Sequence, residues 1–306
     1  MIVLTGPPSE WEVAVDTAVT IGVFDGVHVG HQQIIADLIT WATSSGLSPA
    51  VVTFDPHPLS ILAPERAPKM LTSVDQRIDQ FRRLGVEIAG VLDFPDIRHL
   101  LADQFCEDVL SKALRAKRVV VGADFRFGRD RGGDAELLMT EGKRLGFGVS
   151  VVDLYGHGDG VVSSTRIRQL LSDGLVEEAA ALLGRPYELG GVVVEGDKRG
   201  HTIGFPTANI AIPPDRQLPA MGVYAGKARV GGEVFAAAIN VGTRPTFDGR
   251  GITIEAHMLD YSGGLYGRFL AVDFRCRLRD EMRFDGVEAL TRQIRLDVEK
   301  VREVLN

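Results

Sequence analysis

A change of period near residue 185 constrains this chain more than any other feature. Before it, five runs are nearly apolar throughout and rich in β-branched residues: 18–24 (AVTIGVF), 49–54 (PAVVTF), 88–94 (IAGVLDF), 118–123 (RVVVGA) and 148–155 (GVSVVDLY). Such runs suit strands covered on both faces. The segments 31–43, 73–85, 100–115 and 134–146 between them place apolar residues every three or four positions, the spacing of amphipathic helices. Two of them close on Leu-Gly, a helix stop. Strand and helix in alternation predict a parallel sheet wrapped by helices, so residues 1–184 are expected to form an α/β, Rossmann-like domain with helices on both faces.

After residue 187 the pattern shortens. The runs 188–197, 222–230, 233–242, 252–261 and 268–278 are brief and broken by glycine, which predicts a compact antiparallel β-barrel. The last stretch, 285–306, has helical spacing and is expected to pack on that barrel. Residues 163–188 read as two short helices ending at Gly184 and Pro186, so the boundary is placed at 184–187, with a second domain over 187–306.

The chain has 306 residues, enough for two such domains. Its net charge of −7 argues against a general nucleic-acid binder, which needs a basic face, but leaves room for one small anion in a local basic pocket. The two cysteines, Cys106 and Cys276, fall in different expected domains and make neither a disulfide framework nor a zinc set. No apolar stretch reaches the ~20 residues of a membrane-spanning helix, and the first residues lack the pattern of a signal peptide. The expectation is a cytoplasmic protein without a membrane or nucleic-acid partner; a homo-oligomer is left open.

The stretch GVFDGVHVGH (22–31) follows the first long strand and sets His28 and His31 about one helical turn apart. In open α/β sheets ligands settle at the carboxyl ends of strands, and a helix start favours anions. Gly26 and Gly30 let backbone approach such an anion closely. A metal pair and two surface histidines are the competing readings. The stretch VVSSTRIRQLL (161–171) brings Ser164, Thr165, Arg166 and Arg168 to another helix start, where hydroxyls and guanidinium groups serve as a helix cap or a phosphate clamp. In DKRGHTIGFPTANI (197–210), Thr207 and Asn209 are two apart and share a strand face; their neutral oxygens suit Mg²⁺. Gly200 and Gly204 permit a phosphate-wrapping loop, and Lys198 and Arg199 add local positive charge. Phe205 and Tyr224 could hold a flat aromatic ring, with barrel core as the alternative.

Taken in order, GVFDGVHVGHQQII, TFDPHP, VVGADFRFG and SSTRIRQLL resemble the adenylyltransferase half of prokaryotic bifunctional riboflavin kinase/FAD synthetases, within the nucleotidylyltransferase superfamily. GFPTAN, GVYAG, NVGTRPTF, TIEAHMLDY, LYG and LRDEMRF resemble the riboflavin kinase half. The resemblance implies that riboflavin is phosphorylated by ATP with Mg²⁺ to FMN, and that FMN is adenylylated by ATP to FAD and pyrophosphate. It implies Glu255 as general base, His28 and His31 as catalytic donors, and Gly22, Phe24, Gly30, Asp124, Ser164, Thr165 and Arg168 as contacts to nucleotide and phosphate. It adds His57, Asp124 and Phe205 as flavin contacts, and Arg244 as a weaker candidate for contacting phosphate or fixing its loop. Two rivals remain at this point: a nucleotidylyltransferase for another phosphate acceptor with a non-catalytic flavin-binding barrel, and a flavin-binding regulatory or storage protein.

Overall fold

A computed structural model of the chain describes residues 1–152, 156–157, 160–196, 203–246 and 249–305. The chain divides into two compact units, Met1–Pro68 with Thr72–Ser163, and Lys69–Leu71 with Ser164–Asn306.

The first unit is built on six parallel strands, β1 (Ile2–Leu4), β2 (Thr17–Ile21), β3 (Ser48–Asp55), β4 (Ile88–Asp93), β5 (Ala116–Gly122) and β6 (Gly148–Val152), in the order β1-β4-β3-β2-β5-β6. Five answer the expected apolar runs. The sixth, β1, is three residues long, too short for any period to reveal it. The expected strand end at 153–155 lies outside the described residues. A small hairpin, β7 (Gly156–His157) and β8 (Gly160–Val161), follows.

The helices are α1 (Val29–Ser45), α2 (Pro58–Leu62), α3 (Val74–Leu84), α4 (Phe94–Ile97), α5 (Ala102–Gln104) and α6 (Ala135–Leu145). Alternate residues of each strand feed two cores. Val19, Ile21, Ala50, Val52, Val119 and Val121 pack with Leu138 and Phe105, whereas Ala18, Val51, Ala89 and Val120 pack with Ile35, Leu38 and Phe81. Both faces are therefore covered, which is why the strands lack polar alternation. The segment 100–115, expected as an α-helix, winds as a π-helix over Phe105–Ala113. Its buried residues Phe105, Val109 and Ala113, and likewise Cys106 and Leu110, recur strictly every four positions, and a slower-turning helix keeps all of them on the core.

The second unit is a closed barrel of β9 (Tyr187–Val194), β10 (Ala208–Ala211), β11 (Gly222–Val230), β12 (Glu233–Thr246), β13 (Gly249–Met258) and β14 (Phe269–Arg279), in the order β10-β13-β12-β11-β14-β9, with every pair antiparallel. Closure needs close backbone approach: a Cβ on Gly226 would stand 1.8 Å from the carbonyl oxygen of Asp273. The helices α7 (Ser164–Ser172) and α8 (Val176–Leu183) belong to this compact unit, with α8 against β9 and β14. The C-terminal helix α9 (Val287–Leu305) packs Val301 and Val298 on Ala225 and Leu259. It is pinned by Asp297, whose carboxylate accepts from Arg279 Nε and Nη2 at 3.0 and 2.7 Å.

Candidate functional sites, one in each unit

Strand β2 is central, with β3 and β4 to one side and β5 and β6 to the other. The carboxyl ends of β2 and β5 flank the point where strand order reverses, the usual ligand crevice of such sheets. Between β2 and α1 the chain turns through three left-handed residues, Phe24 (φ 51°), Gly26 (φ 82°) and Val27 (φ 40°). For a β-branched residue this costs about 1–3 kcal/mol, so the surroundings must enforce it. Asp25 Oδ1 accepts from the Thr72 amide at 3.0 Å and hydroxyl at 3.2 Å, and Thr72 Oγ1 accepts from the Gly26 amide at 2.9 Å. Gln32 Nε2 donates to the Val27 carbonyl at 2.8 Å.

His28 is the N-cap of α1, its Nδ1 accepting from the His31 amide at 3.3 Å, so its ring hydrogen sits on Nε2. The two imidazoles stack with centroids 3.6 Å apart and planes 15° from parallel. Burial, and then the charge of His28, hold His31 well below the ordinary value of 6.5. Near neutral pH His31 therefore presents neutral N–H and lone-pair groups, not a positive charge. The expected spacing does bring the rings together; that one nitrogen of His28 is occupied by the helix start was not legible in it. His31 Nδ1 is buried and has no hydrogen-bond partner among the described residues. No group of three His, Cys, Asp or Glu that could hold a metal ion occurs among the described residues.

Phe24 is 3% exposed, its ring edge-on to both His31 and Phe81. The ring is part of the core, so any nucleotide contact at Phe24 falls to its main chain. Gly22 donates its amide to Val52, and a Cβ there would lie 3.3 Å from the Phe24 ring; Gly30 is buried in the first turn of α1. His57 caps α2, its Nδ1 accepting from the Leu59 amide at 3.1 Å. Asp124 is exposed in the turn after β5, closed by the Phe125 amide donating to Gly122. Ser164 and Thr165 open α7 in the second unit, and Arg168, one turn on, donates Nε to the Lys69 carbonyl at 2.6 Å.

Sequence reasoning missed Arg77. It is 1% exposed, and its guanidinium donates to the Val23 carbonyl at 2.7 Å, Thr53 Oγ1 at 2.5 Å and the Phe54 carbonyl at 3.1 Å. It thus ties the exit of β2 to the exit of β3. The signal was present: Arg77 stands four before Phe81 and three after Val74, on the apolar stripe of its helix.

On the barrel, Ile254, Ala256 and Met258 are buried, so Thr253, Glu255 and His257 leave the outer face of β13. Register sets Glu255 opposite Asn209 on β10 and opposite Asn240 on β12, a polar row across three strands. Thr207 Oγ1 donates to Glu255 Oε2 at 3.2 Å. Asn209 Oδ1 is buried without a hydrogen-bond partner among the described residues, and Gly196 passes so close that a Cβ there would stand 2.0 Å from Asn209 Nδ2. A hydroxyl that donates to a carboxylate keeps its lone pairs, so Thr207 and Asn209 offer two neutral oxygens that fit a hard divalent cation. Gly204 (φ 84°) turns the chain into Phe205, whose ring meets His257 edge-on at 5.4 Å. Tyr224 is corrected: it is fully buried with its hydroxyl on the Ala220 carbonyl at 2.5 Å, so it is core and cannot face a flavin. Lys198, Arg199 and Gly200 lie outside the described residues, as does the side chain of Arg244.

Two family models match, FAD synthetase over residues 11–166 and riboflavin kinase over residues 183–305. Among curated proteins, the bifunctional riboflavin kinase/FMN adenylyltransferase of Escherichia coli K12 is 40% identical over 288 residues, 93% of this chain and 91% of that protein. The protein of the same name from Bacillus subtilis is 37% identical, covering 92% and 90%. A crystal structure named as a macrolide-efflux protein from Streptococcus pneumoniae is 34% identical and overlays with a TM-score of 0.89 across 99% of each chain. That name speaks of efflux, whereas no helix among the described residues here is long and apolar enough to cross a membrane. The matching models span both halves and the relatives nearly the whole length, so this chain belongs to the bifunctional riboflavin kinase/FMN adenylyltransferase family.

Proposed function

We propose that the histidine turn of the sheet unit transfers an adenylyl group to FMN, and that the outer barrel face around Glu255 phosphorylates riboflavin. The enzyme's two activities are riboflavin kinase and FMN adenylyltransferase. Residues 1–184 serve the second and 187–306 the first, although α7 and α8 belong to the barrel's compact unit, α8 lying against β9 and β14. One observation carries the assignment: beside each proposed site a buried polar atom, His31 Nδ1 in one unit and Asn209 Oδ1 in the other, has no hydrogen-bond partner among the described residues.

The 5′-hydroxyl of riboflavin is neutral, so its attack on the γ-phosphorus of ATP, which breaks the bond to the β,γ-bridging oxygen and releases ADP, requires a base, and Glu255 takes that proton. Thr207 and Asn209 hold Mg²⁺, which when bound neutralises charge on the ATP phosphates. Lys198, Gly200 and Gly204 wrap those phosphates, and Phe205 contacts the flavin. In the other reaction the FMN phosphate arrives already charged, attacks the α-phosphorus of ATP and expels pyrophosphate. No base is needed, and the work is alignment and stabilisation of charge. His28 Nε2–H, His31, and the backbone of Phe24 and Gly30 face the phosphates, with Gly22 beside them holding the exit of β2 through its amide on the Val52 carbonyl. Ser164, Thr165 and Arg168 contact nucleotide or phosphate, and Asp124 and His57 contact nucleotide or flavin. The protein acts in the cytoplasm.

Incubating the purified chain with riboflavin, ATP and Mg²⁺, and separating flavins by chromatography, tests this reading. FMN should appear first and FAD after it. A reaction that halts at FMN, or that needs no Mg²⁺, would refute the corresponding half.

A further inference from the structure

The three residues before β10 are each held by a side chain of β13. Phe205 meets the imidazole of His257 edge-on, with centroids 5.4 Å apart and planes at 72°. The Pro206 carbonyl lies 2.8 Å from His257 Nδ1. Thr207 donates its hydroxyl to Glu255 at 3.2 Å. Strand pairing begins only at Ala208, and Pro206 has no N–H, so this segment has no ladder of its own to fix it. His257 and Glu255 are two apart and leave the same face of the barrel, which lets them grip adjacent residues. A carbonyl only accepts, so Nδ1 carries the hydrogen of this contact.

We infer that His257 is a positioning residue of the kinase site: its Nδ1–H fixes the Pro206 carbonyl, and thereby keeps the Thr207 hydroxyl on Glu255. His257 touches no reacting atom. The inference rests on the roles given above to Thr207, Asn209 and Glu255.

Full-length His257→Ala, His257→Asn and His257→Gln test it. Asparagine places an N–H where Nδ1 was, whereas glutamine places one where Nε2 was. In ligand-free protein, hydrogen exchange over residues 203–210 should quicken about fivefold to tenfold in the Ala and Gln variants and return close to the wild-type rate in the Asn variant, as the loss of one hydrogen bond predicts. For riboflavin phosphorylation, KM for MgATP should rise by a similar factor in the Ala and Gln variants with kcat nearly unchanged, and Asn should restore it. FMN-to-FAD conversion should not move. Unchanged exchange in all three variants, equal behaviour of Asn and Gln, or a collapse of kcat at constant KM would each overturn the inference. Glu255→Gln run alongside separates the two levels. If it still makes FMN, the site assignment itself is wrong; if it does not, a failure among the His257 variants falls on His257 alone.

Discussion

In the function proposed above, the histidine turn and the barrel row handle the same kind of molecule, a nucleoside triphosphate, with opposite equipment. At the turn the rings nearest the helix start are stacked, one capping the helix and the other held neutral, and the buried carboxylate beside them, Asp25, is engaged with Thr72. On the barrel a carboxylate is the centrepiece, restrained by Thr207 and flanked in register by two asparagines. A nucleophile that is charged on arrival needs donors and alignment, whereas an alcohol needs a base. The supports differ as well. The turn depends on left-handed backbone enforced by Thr72 and Arg77, whereas the row is set by strand register, with Thr207 added from the segment just before β10.

The sharpest way to break this comparison is to neutralise the base. Glu255→Gln should lower FMN formation by about 10²–10⁴-fold, the usual worth of a general base, and leave FMN-to-FAD conversion untouched in the same preparation. Parallel loss of both activities would mean the sites are not separate. The reciprocal change, His31→Ala, should cost adenylyl transfer about 10²–10³-fold, the scale of one lost donor to a transition state, with FMN formation intact. An undiminished FAD yield would remove His31 from the site.

The supports can be tested next. Arg77→Met leaves the Phe54 carbonyl and the Thr53 hydroxyl without the guanidinium, and the Val23 carbonyl with only the Thr53 hydroxyl at 2.9 Å, and should destabilise the first unit by about 2–3 kcal/mol in denaturant titration. FAD formation should weaken with it while the barrel keeps its kinase activity. The smallest effect is expected in pH dependence. His31 has its folded pKa pushed below 6.5, so its contribution to stability is complete above that pH and is lost as pH falls toward the folded value. His31→Asn should flatten that acid slope in melting experiments between roughly pH 6.5 and the acid limit of folding. A slope identical to wild type would show that burial of the ring does not govern it.

Much of this is legible in local pattern alone. The five apolar runs form β2 to β6 because strands covered on both faces must be apolar throughout, and that demand is written residue by residue. Gly184, expected to end a helix, is the left-handed C-cap of α8. Spacing also groups His28 with His31 and Thr207 with Asn209, since both pairs are local. It fails where the partner is distant in the chain. Arg77 looks like a surface arginine until β2 and β3 bring the Val23 and Phe54 carbonyls to it. Tyr224 looks like a ring contact until the barrel closes over it.

By itself, then, the order of residues determined the two architectures, the short motifs and the family, because period and local spacing act within a few residues. Only the folded chain decided that Asn209, Glu255 and Asn240 share a row, that His28 lends a nitrogen to its helix, and that a buried arginine ties two strand exits together. Register, tautomer and burial are set by groups tens of residues apart, and those meet only when the sheet and the barrel form.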